Sequence, residues 1–220
     1  SNANRIYIGM NRNNGEIWRS DDNGTTWSLI NTGSEYMSSQ GWYDNAIWVN
    51  PDNSSSLIVG GLDLYRSTDG GTNLTKISDW HNYHNGGSAN SAHADQHCIV
   101  EAADYLNGSN PVVYFGNDGG IQKTDNVWTV TTNSGWENLA NSSLGITQFF
   151  GGAVADDGSI IVGGTQDNDK LRYKASGTWS GADNWYQATT GDGGYAAINN
   201  NNTSIVYGSY TNLKIKKSTD

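Results

Sequence analysis

The octet SDDNGTTW, residues 20–27, decides how the rest of the chain is interpreted. It combines carboxylates, hydroxyls, a glycine and a terminal tryptophan, which suit an ion site, a sugar site or a tight turn. A turn explains each position, because Asp22 can accept backbone N–H groups, Gly24 permits a positive φ and Trp27 can pack back against the strand. An EF-hand calcium loop needs further oxygen ligands and a terminal glutamate, which the octet lacks. The octet therefore predicts a structural turn.

Partial copies of the octet recur along the chain, together with a repeated apolar run. STDGGTNL (67–74), KTDNVWT (123–129) and STD (218–220) follow the same order of residues. Apolar runs such as RIYIGM, SLIVGG and VVYFGN each contain a glycine, and these glycines lie about 50 residues apart, the period of a four-stranded propeller blade. The five glycines are Gly9, Gly60, Gly116, Gly163 and Gly208.

Each glycine-containing run predicts the second strand of a four-stranded unit. YDNAIWVN, DQHCIVEA, TQFFGGAVA and GGYAAIN are candidates for the first strand; EIWRS and LYRST are examples of the third, and TTWSLI and LTKIS of the fourth. Helical periodicity is absent throughout. We therefore predict an all-β fold, a β-propeller fragment of about five four-stranded blade units.

The predicted boundaries follow from the repeat. Residues 1–3, SNA, are interpreted as the remnant of a purification tag, and residues 4–220 as a partial propeller. The chain starts at a second strand and stops before a fourth, so we expect a fragment of a larger propeller protein. The predicted blade units are 4–34, 42–80, 93–142, 146–190 and 192–220.

Composition excludes several classes of partner. The formal charge of −10 and the pI near 4.6 argue against nucleic acid and anionic membrane surfaces, and no apolar run is long enough to span a membrane. A single cysteine, Cys98, excludes an internal disulfide and a cysteine-based zinc site. The turns NDGG and DGG lack the helix that a phosphate loop or a dinucleotide-binding turn requires. We predict no cofactor, and the oligomeric state stays open.

The segment HADQHCIV (93–100) is the strongest candidate for a site. His93, Asp95 and His97 alternate, so on a strand all three would point the same way. This pattern suits a metal half-site, an imidazole oriented by a carboxylate for proton transfer, or a polar patch bonded to the backbone. We favour the polar patch, which leaves His93 and His97 as ligand-binding candidates without a metal.

Three further aspartates are candidates. Asp44 in WYDNAIWVN aligns with Asp95 one blade later, and a pair of carboxylates is what glycoside hydrolysis requires. Asp167 in GGTQDND and Asp192 in GDGGY are predicted to lie at the rim, as binding residues. Asp44 and Asp95 are thus the catalytic candidates if the protein is an enzyme.

The repeated octet resembles the Asp-box, S-x-D-x-G-x-x-W, of the BNR-repeat β-propellers. The polar inner strand, the NP turn, IVGG and the Asp-box together are similar to the xyloglucanase and sortilin groups. In xyloglucanase-like enzymes the catalytic carboxylates lie on two propellers that face one cleft, so the resemblance implies at most one of them here, with Asp44 the best match. The Asp-box positions are Ser20, Asp22, Gly24 and Trp27 in the first copy, and Ser67, Asp69 and Gly71 in the second.

The arginines argue against the sialidases, which also carry Asp-boxes. A sialidase clamps its substrate with three inner-face arginines, whereas Arg19, Arg66 and Arg172 fall on third strands. We therefore expect an extracellular, bacterial, non-catalytic module that binds a glycan or a protein, secreted or at the cell surface and not inserted into the membrane. The alternative is a xyloglucanase-like glycoside hydrolase with Asp44 or Asp95 as general acid or base, and the sequence leaves open whether the protein is an enzyme.

Overall fold

The computed structural model describes residues 2–85, 90–139, 147–166, 169–177, 185–187 and 191–219. The chain divides into two compact units, Ser1–Gly145 and Ile146–Asp220, and each is considered by itself. Strands dominate both units. Helical structure within the described residues is confined to α1 (Trp80–Asn85) and a 3-10 turn at Thr211–Leu213, and no helix there is long and apolar enough to cross a membrane.

The first unit contains three antiparallel sheets in which every strand pairs with the next one along the chain. The first sheet has three strands and the other two have four. The strands of the first sheet are β1 (Ile6–Met10), β2 (Glu16–Ser20) and β3 (Ser28–Asn31). The second sheet contains β4 (Ala46–Val49), β5 (Leu57–Gly60), β6 (Leu64–Ser67) and β7 (Thr75–Lys76). The third sheet contains β8 (Gln96–Glu101), β9 (Val113–Asn117), β10 (Gly120–Thr124) and β11 (Glu137–Asn138).

The second unit contains two sheets with the same sequential, antiparallel order. The fourth sheet has four strands and the fifth has three. Their strands are β12 (Phe149–Val154), β13 (Ile160–Thr165), β14 (Asp169–Lys174) and β15 (Tyr186–Gln187), then β16 (Ala196–Ile198), β17 (Val206–Tyr210) and β18 (Lys214–Ser218).

Within the first unit, consecutive sheets pack on each other through apolar side chains. One core cluster joins the second and third sheets and includes Ile58 and Phe115, which are fully buried. A second cluster includes Ile17 and Leu57 and joins the first and second sheets. Such four-stranded sheets in chain order, stacked face to face, are β-propeller blades, so the predicted fold class is confirmed.

The helix α1 departs from the sequence prediction. Residues 80–85 were expected to lie in a loop, because the sequence lacks helical periodicity. So short a helix needs no apolar stripe, because a residue outside the helix anchors it. The Trp80 N–H donates to Asp63 Oδ1 at 2.9 Å. A segment of this length is below what periodicity can detect.

The octet forms a closed network of hydrogen bonds between β2 and β3. Ser20 Oγ donates to Asp22 Oδ1 at 2.7 Å and accepts the Gly24 N–H at 2.8 Å, while Asp22 accepts from Thr26 through both N–H and hydroxyl. Gly24 has a φ of +87°, and Trp27 Nε1 donates to the Gly24 carbonyl at 3.0 Å. The donors from Thr26, followed by Ser20, lower the pKa of Asp22 to about 2. Both carboxylate oxygens of Asp22 are therefore engaged inside the turn.

The second copy has the same network between β6 and β7. Ser67 Oγ donates to Asp69 Oδ1 at 2.8 Å, and it accepts the Gly71 N–H at 2.9 Å. Asn73 replaces Thr26 as the donor to Asp69, through N–H and side-chain amide. The hydrogen bonds of the serine and the aspartate thus survive the replacement of the terminal tryptophan by Leu74, whereas the bond from the Trp27 indole to Gly24 has no counterpart.

Arginines before these turns connect neighbouring sheets. Arg19 Nη1 donates to the Gly70 carbonyl at 3.3 Å, and Arg66 Nη1 donates to the carbonyls of Val127 at 2.9 Å and Val130 at 3.3 Å. A Cβ added at Gly70 would lie 2.6 Å from Arg19 Nη1, so a side chain at this position would displace the Arg19 guanidinium group. We refer to Arg19 and Arg66 as the latch arginines.

Candidate functional site

The loop between β3 and β4 carries Asp44 and is anchored in the core. Tyr36 and Met37 are almost fully buried, and the Met37 N–H donates to the Asn14 carbonyl at 3.0 Å. Farther along, the Gln40 carbonyl accepts the N–H groups of Tyr43 at 2.7 Å and Asp44 at 3.1 Å. This turn folds Asp44 back over Gln40 just before β4 begins.

The segment that leads into β8 carries Asp95, and it is held by the turn between β5 and β6. The Asp95 N–H donates to the Leu62 carbonyl at 3.2 Å, and the Gln96 N–H donates to the Gly61 carbonyl at 2.9 Å. The other loop approaches the same turn, because a Cβ added at Gly61 would lie 2.6 Å from Met37 Cα. Gly61 therefore lets both carboxylate-bearing segments come close together.

The prediction that His93, Asp95 and His97 share one face of a strand is wrong. β8 begins only at Gln96, and Asp95 has a φ of +65°, the left-handed conformation that interrupts alternation. A register shift between Gln96 and Cys98 disturbs the next positions as well. The three side chains accordingly have different neighbours: His93 packs edge-on against Tyr83, Asp95 bonds to Gln40, and His97 bonds to Asp118.

Asp44 and Asp95 form a close carboxyl pair. Gln40 Nε2 lies 3.2 Å from Asp44 Oδ2 and 2.6 Å from Asp95 Oδ1, so one amide group bridges the two carboxyl groups. Asp44 is fully buried, and its Oδ1 has no hydrogen-bond partner among the described residues. Asp95 is half-buried. The pair thus has one member in the protein interior and one at the surface.

The environment of the pair favours retention of a proton. Burial raises the pKa of Asp44 to about 7. The hydrogen bond from Gln40 lowers this pKa, and the negative charge of Asp95 raises it. Burial likewise raises the pKa of Asp95, the Gln40 donor opposes this, and the Asp118 charge adds to it. Both pKa values are thus raised, chiefly by burial, and the two neighbouring carboxyl groups titrate as a pair.

Tyr43, His97 and Asp118 border the pair. Asp118 lies in the turn between β9 and β10 and accepts from the Tyr43 hydroxyl at 3.1 and 3.0 Å, while His97 Nε2 lies 2.7 Å from Asp118 Oδ1. The Tyr43 and His97 rings meet edge to face at 5.0 Å. Trp42 stands next to Tyr43 with 76% of its surface exposed, which leaves a large aromatic face open to solvent.

The two remaining predicted site residues are Asp167 and Asp192. Asp192 is half-buried in the second unit, shortly before β16, and Asp167 lies outside the described residues. Within the described part of the chain, no group of three or more histidine, cysteine, aspartate or glutamate side chains is arranged to hold a metal ion.

Sequence reasoning missed four residues of the cluster. Gln40, Trp42 and Tyr43 stand close to Asp44 in the stretch QGWYDN, which places an amide and two aromatics beside a carboxylate. Asp118 belongs to NDGG, which was interpreted only as a turn. The local sequence contains these residues, but their contacts join distant positions. Gln40 and Asp95 are 55 residues apart, and His97 and Asp118 are 21 residues apart.

No protein-family model matches the chain. A xyloglucanase from Paenibacillus sp is 30% identical over 194 residues, an alignment that covers 73% of this chain but only 17% of that protein. Among solved structures, the GH74 enzyme of Niastella koreensis has 18% identity and a TM-score of 0.46 over 100% of this chain and 35% of its own. The GH74 xyloglucanase from Xanthomonas campestris has 16% identity and a TM-score of 0.45, over 100% and 36%. The chain is thus a propeller with similarity to part of a xyloglucanase.

Proposed function

We propose that this chain is part of a glycoside hydrolase that acts on a β-linked glucan, with Asp95 as the acid that contacts the substrate. The observation that carries the proposal is the carboxyl pair, because a buried Asp44 with a raised pKa and a half-buried Asp95 are suited to proton transfer near neutral pH. A module that only binds sugar has no need of such a pair. The similarity to a xyloglucanase supports the same reaction class.

The geometry assigns different roles to the two aspartates. Asp95 can reach a ligand because it is half-buried, whereas Asp44 is fully buried and can act only through Asp95. This changes the expectation from the family resemblance, in which Asp44 was the best match to a catalytic carboxylate. We propose that Asp44 supplies the proton that Asp95 delivers to the glycosidic oxygen.

The pair acts as one group and not as the acid and base of a complete active site. The two carboxyl groups of a glycosidase flank the scissile bond at about 5 Å in retaining enzymes and farther apart in inverting enzymes. The Gln40 amide nitrogen contacts both carboxyl groups, at 3.2 and 2.6 Å, and so occupies the space between them where a sugar would have to lie. We propose that the second catalytic carboxylate lies across the substrate from this pair.

Hydrolysis by the full-length protein tests the proposal. We expect release of reducing sugar from xyloglucan or an unbranched β-glucan and none from starch, whose linkages are of the α type. Binding of these glucans without release of sugar would contradict the proposal and favour the non-catalytic module instead. Because polymeric glucans are encountered outside cells, we also propose a secreted or cell-surface location.

Trp42 is the proposed sugar platform of the site. Its exposed face lies beside the Tyr43 ring, at a centroid distance of 5.6 Å, and sugar rings stack on such aromatic faces. Replacing Trp42 with Ala is expected to weaken oligosaccharide binding by about tenfold, measured by calorimetry. Leu106→Ala is the control, because Leu106 is also exposed but follows the opposite end of β8. Equal losses in both variants would remove Trp42 from the site.

We further propose that the turns at 20–27 and 67–74 are Asp-boxes with a structural role. Their serine and aspartate side chains are engaged in the same internal hydrogen bonds in both copies. This leaves recognition to the loops before β4 and β8.

A further inference from the structure

Asp118 contacts both segments that carry the carboxyl pair. It accepts from the hydroxyl of Tyr43, which directly precedes Asp44, and it bonds to Nε2 of His97, two residues after Asp95. One side chain of the β9–β10 turn thus ties the loop before β4 to the start of β8.

We propose that Asp118 is a positioning residue for the Asp44–Asp95 pair: it fixes the two segments relative to each other and places a negative charge beside Asp95. The catalytic consequence rests on the function proposed above. The structural statement does not, since it concerns only groups within this chain.

The turn that carries Asp118 is itself firmly held. The buried Asn117 accepts the Gly119 N–H at 3.1 Å and donates to Gln96 Oε1 at 3.3 Å as well as to Gln122. A Cβ at Gly119 would overlap the Cβ and ring of His93, so the turn packs directly on the segment before β8. Asp118 is therefore presented on a rigid support, as a positioning residue should be.

The charges around Asp95 define what Asp118 contributes. Asp44, Asp118 and His93 face it, and of these Asp118 is the group whose negative charge raises the pKa of Asp95, after the effect of burial. His97 Nε2 also lies 2.7 Å from Asp118 Oδ1. A carboxylate at position 118 thus favours the protonated state of the pair.

The conservative variant Asp118→Asn separates the effect of the charge at position 118 from the effect of the side chain's size. Asp118→Asn keeps a side chain of the same size and an acceptor for the tyrosine or histidine, but it removes the charge. Asp118→Ala removes the charge and both anchors. Asp125→Asn is the matched control, because Asp125 lies in the same sheet region, immediately after β10, and its side chain is 82% exposed.

The experiment follows the carboxyl carbons of labelled aspartate by NMR across a pH titration of the full-length protein. We expect Asp118→Asn to move the titration of the pair to lower pH, whereas Asp125→Asn leaves it in place. In glucan hydrolysis by Asp118→Asn, the loss of rate at alkaline pH should also move to lower pH. Asp118→Ala should lower the hydrolysis rate by roughly 10²-fold, because a catalytic group misplaced by about 1 Å reduces the rate by about that factor.

The experiment distinguishes failure of this inference from failure of the proposed function. An unchanged titration of the pair in Asp118→Asn overturns the inference, whatever the protein does to glucans. A shifted titration in a protein that hydrolyses no glucan supports the inference and contradicts the proposed function. If Asp118→Ala fails to fold, the Asp118→Asn titration still decides.

Discussion

Replacing Asp95 with Asn is expected to lower the rate of glucan hydrolysis by about 10² to 10⁴-fold, the usual contribution of a general acid or base. The variant retains an oxygen that can accept from Gln40, so the fold and the position of the side chain should be preserved. What it loses is the ability to pass on the proton supplied by Asp44. The measurement is the initial rate of reducing-sugar release by the full-length protein, with glucan affinity measured in parallel.

Asp104→Asn provides the control for this variant. Asp104 is exposed and lies beyond the opposite end of β8, so it shares the sheet but not the site. Its removal should leave the rate unchanged. If Asp95→Asn hydrolyses glucan as fast as the control does, the carboxyl pair is not the acid, and the proposed mechanism fails even though the protein is a hydrolase.

Replacing Asp44 with Asn is expected to change how stability depends on pH. The pKa of Asp44 is 3.8 in the unfolded chain and about 7 in the folded protein, so between these values the folded state binds the additional proton. The free energy of unfolding of the wild type therefore falls as pH rises from about 4 to about 7 and is then level. Asp44→Asn removes this titration, and the variant should be more stable than the wild type above pH 7, by on the order of a few kcal/mol.

Urea unfolding at a series of pH values between about 4 and 8 measures this difference. Asp95 also has a raised pKa and contributes a slope of the same sign, which persists in the variant. The exposed Asp125 serves again as the control position, since Asp125→Asn should follow the wild type at every pH. Parallel curves for wild type and Asp44→Asn would show that the buried carboxyl is not protonated in the native state.

The sequence predicts the sheets well and the site only in outline. The runs around Gly60, Gly116 and Gly163 are apolar and β-branched, and each forms the second strand of its sheet, as predicted. Strand formation depends on such local patterns, and the octets closing β2–β3 and β6–β7 supply their own hydrogen bonds from residues at most five positions apart. Repeated local patterns of this kind can be recognised from the sequence alone.

The site depends on contacts that no local pattern encodes. The alignment of Asp44 with Asp95 predicted carboxylates at equivalent places in two sheets, but not that Gln40 would join them across the intervening turn at Gly61. Strict alternation failed at Asp95, because a single left-handed residue redirects the chain before β8. The roles of the buried Asp44 and the half-buried Asp95 likewise depend on packing, which sequence alone does not give.

The latch arginines have a consequence for how such an array can change during evolution. Each latch joins only one sheet to its neighbour, so a sheet can be gained or lost without disturbing contacts farther away. The carboxyl pair, by contrast, takes Asp44 from the segment before β4 and Asp95 from the segment before β8. Duplication of a single blade copies only half of this pair, and two adjacent blades together are the smallest segment that can be inherited with the site intact.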